Sequence, residues 1–303
     1  MESLNFNKIR NIDDLALYFQ CTIDTLKNII ENKENYSSRR QIPKKNGGKR
    51  RIIIINNFDW SRFLKQIHFS IEKQYPYLDC IEGFLKSKSI KTNASKHINN
   101  QYLLTLDIKD FYFSIKYEDI INSFKALGAN DTVSEILGQI CTYNNLLYPG
   151  FNTSPLISNI AFESLDRKIC DLCKEKGINY SRYADDLSFS STNPIEILPI
   201  IKQYLSEKAF EINEYKLRFS KHGQAQYVTG LSISDKTMPR LPRKFKRNIR
   251  LLLHYAKMNG IENYHKHPKS RHLLTIYGQI MYSYSIEPHF AFKCLKIFND
   301  IKK

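Results

Sequence analysis

The residue pattern predicts an α+β fold, an antiparallel sheet backed by helices. Three observations carry that expectation. A short apolar run, Leu103-Leu104-Thr105-Leu106-Asp107-Ile108, ends in a carboxylate as a buried strand does when it delivers an acid. Tyr180 to Ser190 reads as two strands around Ala184-Asp185-Asp186, a tight hairpin with acids at its tip. Helix-period segments lie between and after these strands.

The remaining elements follow in chain order. Leu15, Leu17, Tyr18 and Phe19, then Ile23, Leu26, Ile29 and Ile30, step at near-helical spacing and predict two short helices over 12–32. Arg39 to Lys45, an Asn46-Gly47-Gly48 turn and Lys49-Arg50-Arg51 leading into four isoleucines predict a basic β-hairpin. Phe63, Leu64, Ile67 and Ile71 mark an amphipathic helix from Trp60 to about Tyr75. After the Asp107 strand comes a helical region. Pro194 then opens a predicted helix over 195–210, residues 212–220 read as extended, and 226–234 as a β segment centred on Val228-Thr229-Gly230. From about Arg243 the pattern is helical again.

Composition narrows the function. The 303 residues carry 46 Lys or Arg against 30 Asp or Glu, a net charge of +16, which favours a polyanionic partner through counterion release. The surplus is concentrated. From Lys236 onward fifteen Lys or Arg face three acids, with Phe245, Tyr255, Tyr264 and Tyr277 interleaved, so a nucleic-acid surface is favoured over a solubilising or membrane-attracted face. No basic-then-apolar leader opens the sequence, and its apolar runs fall far short of the roughly 20 residues that span a bilayer. A cytoplasmic protein without a membrane partner is expected. Six scattered cysteines fit a reduced compartment, and Cys170 with Cys173 reads as a structural helical pair, since no second ligand pair follows at zinc-site spacing.

Adjacent carboxylates repel, so Asp185-Asp186 at a hairpin tip requires something positive nearby. With Asp107 on a neighbouring strand, three carboxylates could converge on a pair of divalent ions, and hard oxygen ligands select Mg²⁺ with Mn²⁺ as a substitute.

Here the sequence resembles the reverse transcriptases, whose hallmark hairpin is matched by Tyr183-Ala184-Asp185-Asp186. Asn93-Ala94-Ser95-Lys96-His97 and Val228-Thr229-Gly230 are similar to two further elements of the bacterial retron branch. The resemblance implies a right-hand polymerase: a helical cap at 1–35, fingers at 36–100, a palm at 101–235 with an inserted fingers segment at about 122–155, and a basic helical thumb at 236–303. It implies RNA-directed DNA synthesis with two Mg²⁺ ions on catalytic Asp107, Asp185 and Asp186. Lys45, Arg50, Arg51, Tyr112 and Gly150 would serve the incoming dNTP, with Tyr112 the gate against a 2′-hydroxyl or a packing residue beside Phe111 and Phe113. Asn93, His97, Tyr183, Val228, Thr229, Gly230, Arg243, Lys244, Lys246, Arg247 and Arg250 would meet RNA or primer. Retron likeness further implies a structured noncoding RNA as template and primer, an RNA-linked single-stranded DNA (msDNA) product, antiphage defence and a separate effector protein. One segment departs: Leu147-Tyr148-Pro149-Gly150 carries proline where the family has a glutamine that helps seat the nucleotide. That departure keeps open a defence-associated reverse transcriptase that primes on protein or works without a template. A catalytically silent RNA-binding scaffold for an effector is the reading from another class.

Overall fold

The computed structural model describes residues 3–43, 47–266 and 273–301. Helices α1 (Ile12–Phe19) and α2 (Ile23–Glu31) each start at a side-chain cap, with Asn11 accepting from the Asp14 N–H and Thr22 from that of Thr25. Strands β1 (Ser37–Pro43) and β2 (Lys49–Ile55) pair antiparallel, Arg40 opposite Ile52 and Pro43 opposite Lys49. The hairpin tip, including Lys45, lies outside the described residues. There follow α3 (Phe58–Gln74), α4 (Ile90–Ser95), β3 (Tyr102–Asp107), α5 (Phe111–Ser114), α6 (Tyr117–Ala126), α7 (Asp131–Cys141) and α8 (Ser154–Glu175). The hairpin of β4 (Asn179–Tyr183) and β5 (Asp186–Ser191) is as predicted, and α9 (Leu198–Glu207), β6 (Arg218–Lys221), β7 (Tyr227–Val228) and β8 (Leu231–Ser232) come next. Helices α10 (Arg243–Lys266), α11 (Leu273–Ile286) and α12 (Pro288–Ile301) close the described chain. No helix among the described residues is long and apolar enough to cross a membrane.

Two boundaries differ from the sequence expectation. Helix α9 starts at Leu198 rather than 195, because Pro199 lacks an N–H and is tolerated only in a first turn, where that N–H needs no partner. The segment 212–220 is not continuously extended: a 3-10 turn at Glu214–Lys216 interrupts it before β6 begins. Cys170 and Cys173 both lie on α8 and form no disulfide.

The strand order β4-β5-β3-β6 forms the four-stranded sheet, and the chain divides into two units to which β3 and β5 each contribute residues. One unit comprises residues 88–105, 188–195 and 218–303. Its core gathers Ala94, Leu103, Val228, Leu231, Ile249, Leu253, Ile280 and Phe298. Strands β7 and β8 form a tight hairpin whose turn, Thr229-Gly230, has positive φ at both residues (45° and 81°), the geometry that matches strand twist. Ser89 opens α4 with a capping box closed by Thr92, which holds this short helix in place.

The other unit comprises residues 1–87, 106–187 and 196–217. Its core contains a charge. Arg182 on β4 has no accessible surface, yet its Nε donates to Asp166 Oδ1 at 2.9 Å and its Nη2 to Asp166 Oδ2 at 2.6 Å. Its Nη1 donates to Asn159 Oδ1 (3.0 Å) and to the Ala184 carbonyl (3.1 Å), and the guanidinium lies 4.7 Å from the centre of the Phe162 ring. Asp166 and Asn159 stand on α8, so one side chain ties the longest helix of this unit to the β4–β5 turn. Removing either partner leaves an uncompensated buried charge. Arg182→Met alone, or Asp166→Leu alone, should lower the unfolding free energy by about 3–5 kcal/mol, while the double substitution recovers much of that loss. Urea unfolding checks this, and single variants within about 1 kcal/mol of the parent would show that the pair is not what holds the helix to the strand.

Candidate active site

Strand β3 ends on Asp107, and the β4–β5 turn carries Asp185 and Asp186. The turn is tight because Ala184 adopts φ +58°. The Ile108 N–H donates to the Asp185 carbonyl at 2.9 Å, which pins the turn beside the end of β3. From behind, residues 80–82 run alongside β4: the Arg182 N–H donates to the Cys80 carbonyl and the Glu82 N–H to the Arg182 carbonyl, both at 2.8 Å. Gly83 then passes so close that an added Cβ would lie 2.6 Å from the Ala184 nitrogen, so only glycine fits there.

Asp107 is 5% exposed, and its Oδ1 accepts a hydrogen bond from Lys216 Nζ at 2.5 Å. The Asn213 N–H donates to the Asp107 carbonyl at 2.8 Å, and the 3-10 turn that follows swings Lys216 back to the carboxylate. Burial, then the charge of Asp107, raises the pKa of Asp185. Burial of the carboxyl among its neighbours, then the charges of Asp185 and Asp107, pushes Asp186 up to about 7, although the residue as a whole is exposed. Burial opposes the charge on Lys216, but its hydrogen bond to Asp107 and the three acids together raise its pKa. Lys216 is therefore the positive group that the adjacent acids require. Nothing in its local sequence marks it, since it meets Asp107 across 109 positions.

Helix α5 gives three successive aromatics separate surroundings. Phe111 packs inward against Phe162 and Phe210. Tyr112 is half-buried, and burial followed by the charge of Asp185 raises its hydroxyl pKa, with Arg50 and Arg182 acting in the opposite direction. Phe113 lies under the Arg51 guanidinium, 4.6 Å from ring centre, and meets Tyr148 edge-on at 5.0 Å. The Asp185 carboxylate and Arg50 thus both lie within electrostatic range of the Tyr112 hydroxyl. Gly150 takes φ +108°, a conformation that side chains rarely adopt, and a Cβ there would just touch the Ile53 carbonyl of β2 at 3.4 Å. Tyr183, directly before the turn, is half-buried.

The expected RNA contacts divide by accessibility. Asn93, His97 and Val228 are fully enclosed and have no surface to offer RNA, which corrects the expectation of direct contact. Asn93 Nδ2 reaches Thr229 Oγ1 at 3.4 Å, Thr229 Oγ1 donates to the Ile90 carbonyl at 3.2 Å, and His97 Nδ1 meets Ser190 Oγ at 2.7 Å. Asn93 and the Ile90 carbonyl thus hold the Thr229-Gly230 turn from within, while His97 is tied to β5. Burial lowers the His97 pKa to about 3, so the ring is neutral. On α10, Arg243, Lys244 and Arg247 are exposed, whereas Lys246 is bound to both oxygens of Glu287 at 3.1 Å and Arg250 lies over Phe290. Lys246 is thereby withdrawn from the open basic face.

Asp186 binds its proton more tightly in the folded state than in the unfolded chain. Its stabilising contribution is full below about pH 4 and is lost as pH rises through about 7. In chelator, Asp186→Asn should melt above the parent at pH 8, by a margin that shrinks as pH falls to 5. A margin that does not change with pH would remove Asp186 from the repelling cluster.

The family model for reverse transcriptase (RNA-dependent DNA polymerase) matches residues 42–233 of this chain. The retron Ec83 reverse transcriptase of Escherichia coli is 31% identical over 281 residues, covering 86% of this chain and 86% of that protein. The retron Ec73 enzyme of the same organism is 31% identical over 286 residues, covering 86% and 87%, and the retron Ec86 enzyme 28% over 275 residues, covering 87% and 84%. Among solved structures, the C-terminally truncated apo telomerase of Candida tropicalis aligns with 70% of this chain at TM-score 0.49 and 12% identity, and this chain spans 59% of it. The matched span takes in the Asp107 strand, the Tyr183–Asp186 hairpin and the Val228–Gly230 turn, and the relatives align over most of their length: this chain belongs to the reverse transcriptases, in their retron-type branch.

Proposed function

We propose that this chain copies an RNA template into DNA at the Asp107–Asp185–Asp186 site. The observation that carries this reading is that one turn and one strand end bring three carboxylates together: the proton affinities of Asp185 and Asp186 are raised by burial and by the neighbouring acids, and Lys216 holds Asp107 as a counter-charge. Among the described residues no group of three or more His, Cys, Asp or Glu side chains is already arranged to hold a metal ion, but the hard oxygens of these carboxylates and the repulsion between them suit divalent cations. Two Mg²⁺ ions, or Mn²⁺ in their place, would stabilise the charge of in-line phosphoryl transfer when bound. Asp107 and Asp185 would hold both, Asp186 would be a weaker ligand, and Lys216 would release Asp107 to them. Tyr112 would stand beside the sugar and exclude a 2′-hydroxyl, while Arg50 and Arg51 would take the triphosphate of the dNTP, Arg51 steadied by Phe113. Asp185→Asn should cut primer extension in magnesium by about a thousandfold or more while leaving the protein folded. Extension at the parent rate would move the catalytic site elsewhere.

The family adds a partner. A structured noncoding RNA would be both template and primer, giving RNA-linked single-stranded DNA in a cytoplasmic antiphage system with a separate effector. The right-hand division into cap, fingers, palm and thumb belongs to the same reading. Arg243, Lys244 and Arg247 leave an open cationic face on α10 suited to phosphates, and the partly exposed Tyr282 meets Phe245 of the same helix. Reversing these three charges to Glu should weaken cognate-RNA binding and flatten its salt dependence by roughly 0.7 to 0.9 log units of slope per lost phosphate contact. Extension of a long primer on a generic template should suffer less. Equal losses on both substrates would make the face a nonspecific duplex clamp, and no loss on either would make it a solubilising surface.

A further inference from the structure

Phe84 is a large aromatic residue in an unexpected place. It is 40% exposed, its backbone takes φ +66°, which bulky residues rarely adopt, and its ring centre lies 6.4 Å from that of Tyr183. The strain has an identifiable source. Gly83 is packed on the Ala184 backbone, its carbonyl accepts from Asn159 Nδ2 at 3.1 Å, and Glu82 is hydrogen-bonded to Arg182, so the segment entering Phe84 is fixed to the hairpin that bears the acids. A buried ring would be explained by packing alone. This one is held partly in solvent, two residues in sequence beyond a fixed backbone link and beside the tyrosine that precedes the catalytic turn.

We propose that Phe84 and Tyr183 form a stacking platform for the terminal nucleobase of the strand being extended. The occupant follows from position and chemistry. Tyr183 is separated from Asp185 by Ala184 alone, so a nucleotide whose 3′-oxygen reaches the acids sets its own base within reach of these rings. Aromatic rings take any base through its π-face, which suits a site that must accept each nucleotide in turn as the primer end. Unlike the acids, the platform needs no cation to act. The inference rests on the polymerase reading above, and it adds a residue, Phe84, that none of the catalytic or nucleotide-binding assignments uses.

The test is the fluorescence of 2-aminopurine placed at the 3′ end of a DNA primer annealed to RNA, bound to saturating protein without dNTP. Stacking quenches this base. The parent should quench it several-fold, Phe84→Tyr should retain the quenching, and Phe84→Leu should abolish it while weakening primed-template binding roughly 5- to 10-fold. Phe84→Gly is the guard against misfolding: it relieves the positive φ, so it should melt at or above the parent temperature and still lose the quenching. Equal quenching by the parent and either the Leu or the Gly variant overturns the platform, as does quenching confined to a probe on the template strand. Primer extension by the parent, run alongside with all four dNTPs, reads the polymerase function separately. Failure of extension overturns that function, whereas intact extension with unchanged quenching overturns the role of Phe84 alone.

Discussion

A guanidinium with no accessible surface is stable only if its charge is paired and each of its nitrogens has a partner, and Arg182 meets that condition through Asp166, Asn159 and the Ala184 carbonyl. The consequence extends beyond stability. Because one of those partners is the backbone of the acid-bearing turn, the arginine fixes where Asp185 and Asp186 can stand relative to α8. The Gly83 segment adds a second constraint, through hydrogen bonds to the N–H and the carbonyl of Arg182 and a backbone approach that admits no side chain. A turn held by both sets of contacts has little freedom to splay its two carboxylates apart.

That rigidity has an electrostatic cost, which the site displays openly. Carboxylates that could relax away from each other would keep ordinary proton affinities. Here Asp185 and Asp186 are both raised, and the nearest relief is a single lysine on Asp107. A site that stores repulsion in the absence of ligand binds cations strongly, since each ion removes an existing penalty as well as making new bonds. Lys216 reaches the site only because the 3-10 turn shortens the path between Asn213 and β6. The interruption of the predicted strand is what brings the counter-charge in.

In the second unit the same economy of buried contacts appears with neutral groups. The enclosed Asn93 and the turn residue Thr229 are joined across 136 positions, and a neutral His97 holds Ser190. Asn93, a motif residue that reads as a nucleic-acid contact, instead shapes the turn from the inside, whereas Arg243, Lys244 and Arg247 are exposed.

Hydrophobic period and turn chemistry are local, and they determined a great deal: the α1–α2 pair, the β1–β2 hairpin with its glycines, the strand ending at Asp107, the Asp185-Asp186 turn and the helical C-terminal region were all legible from the residues alone. So was the need for a positive charge near the acids, because like-charge repulsion is a property of the dipeptide. Which residue supplies it was not legible, since lysines are common in this chain and the pairing of Lys216 with Asp107 depends on chain reversal 109 residues later. Arg182, Gly83 and Phe84 escaped for the same reason: their partners are distant in sequence, and nothing in their neighbours records them. Burial is likewise a collective outcome, which is why Asn93 and His97, polar in sequence and enclosed in the fold, and Lys246, basic but bound to Glu287, could be assigned only from tertiary structure.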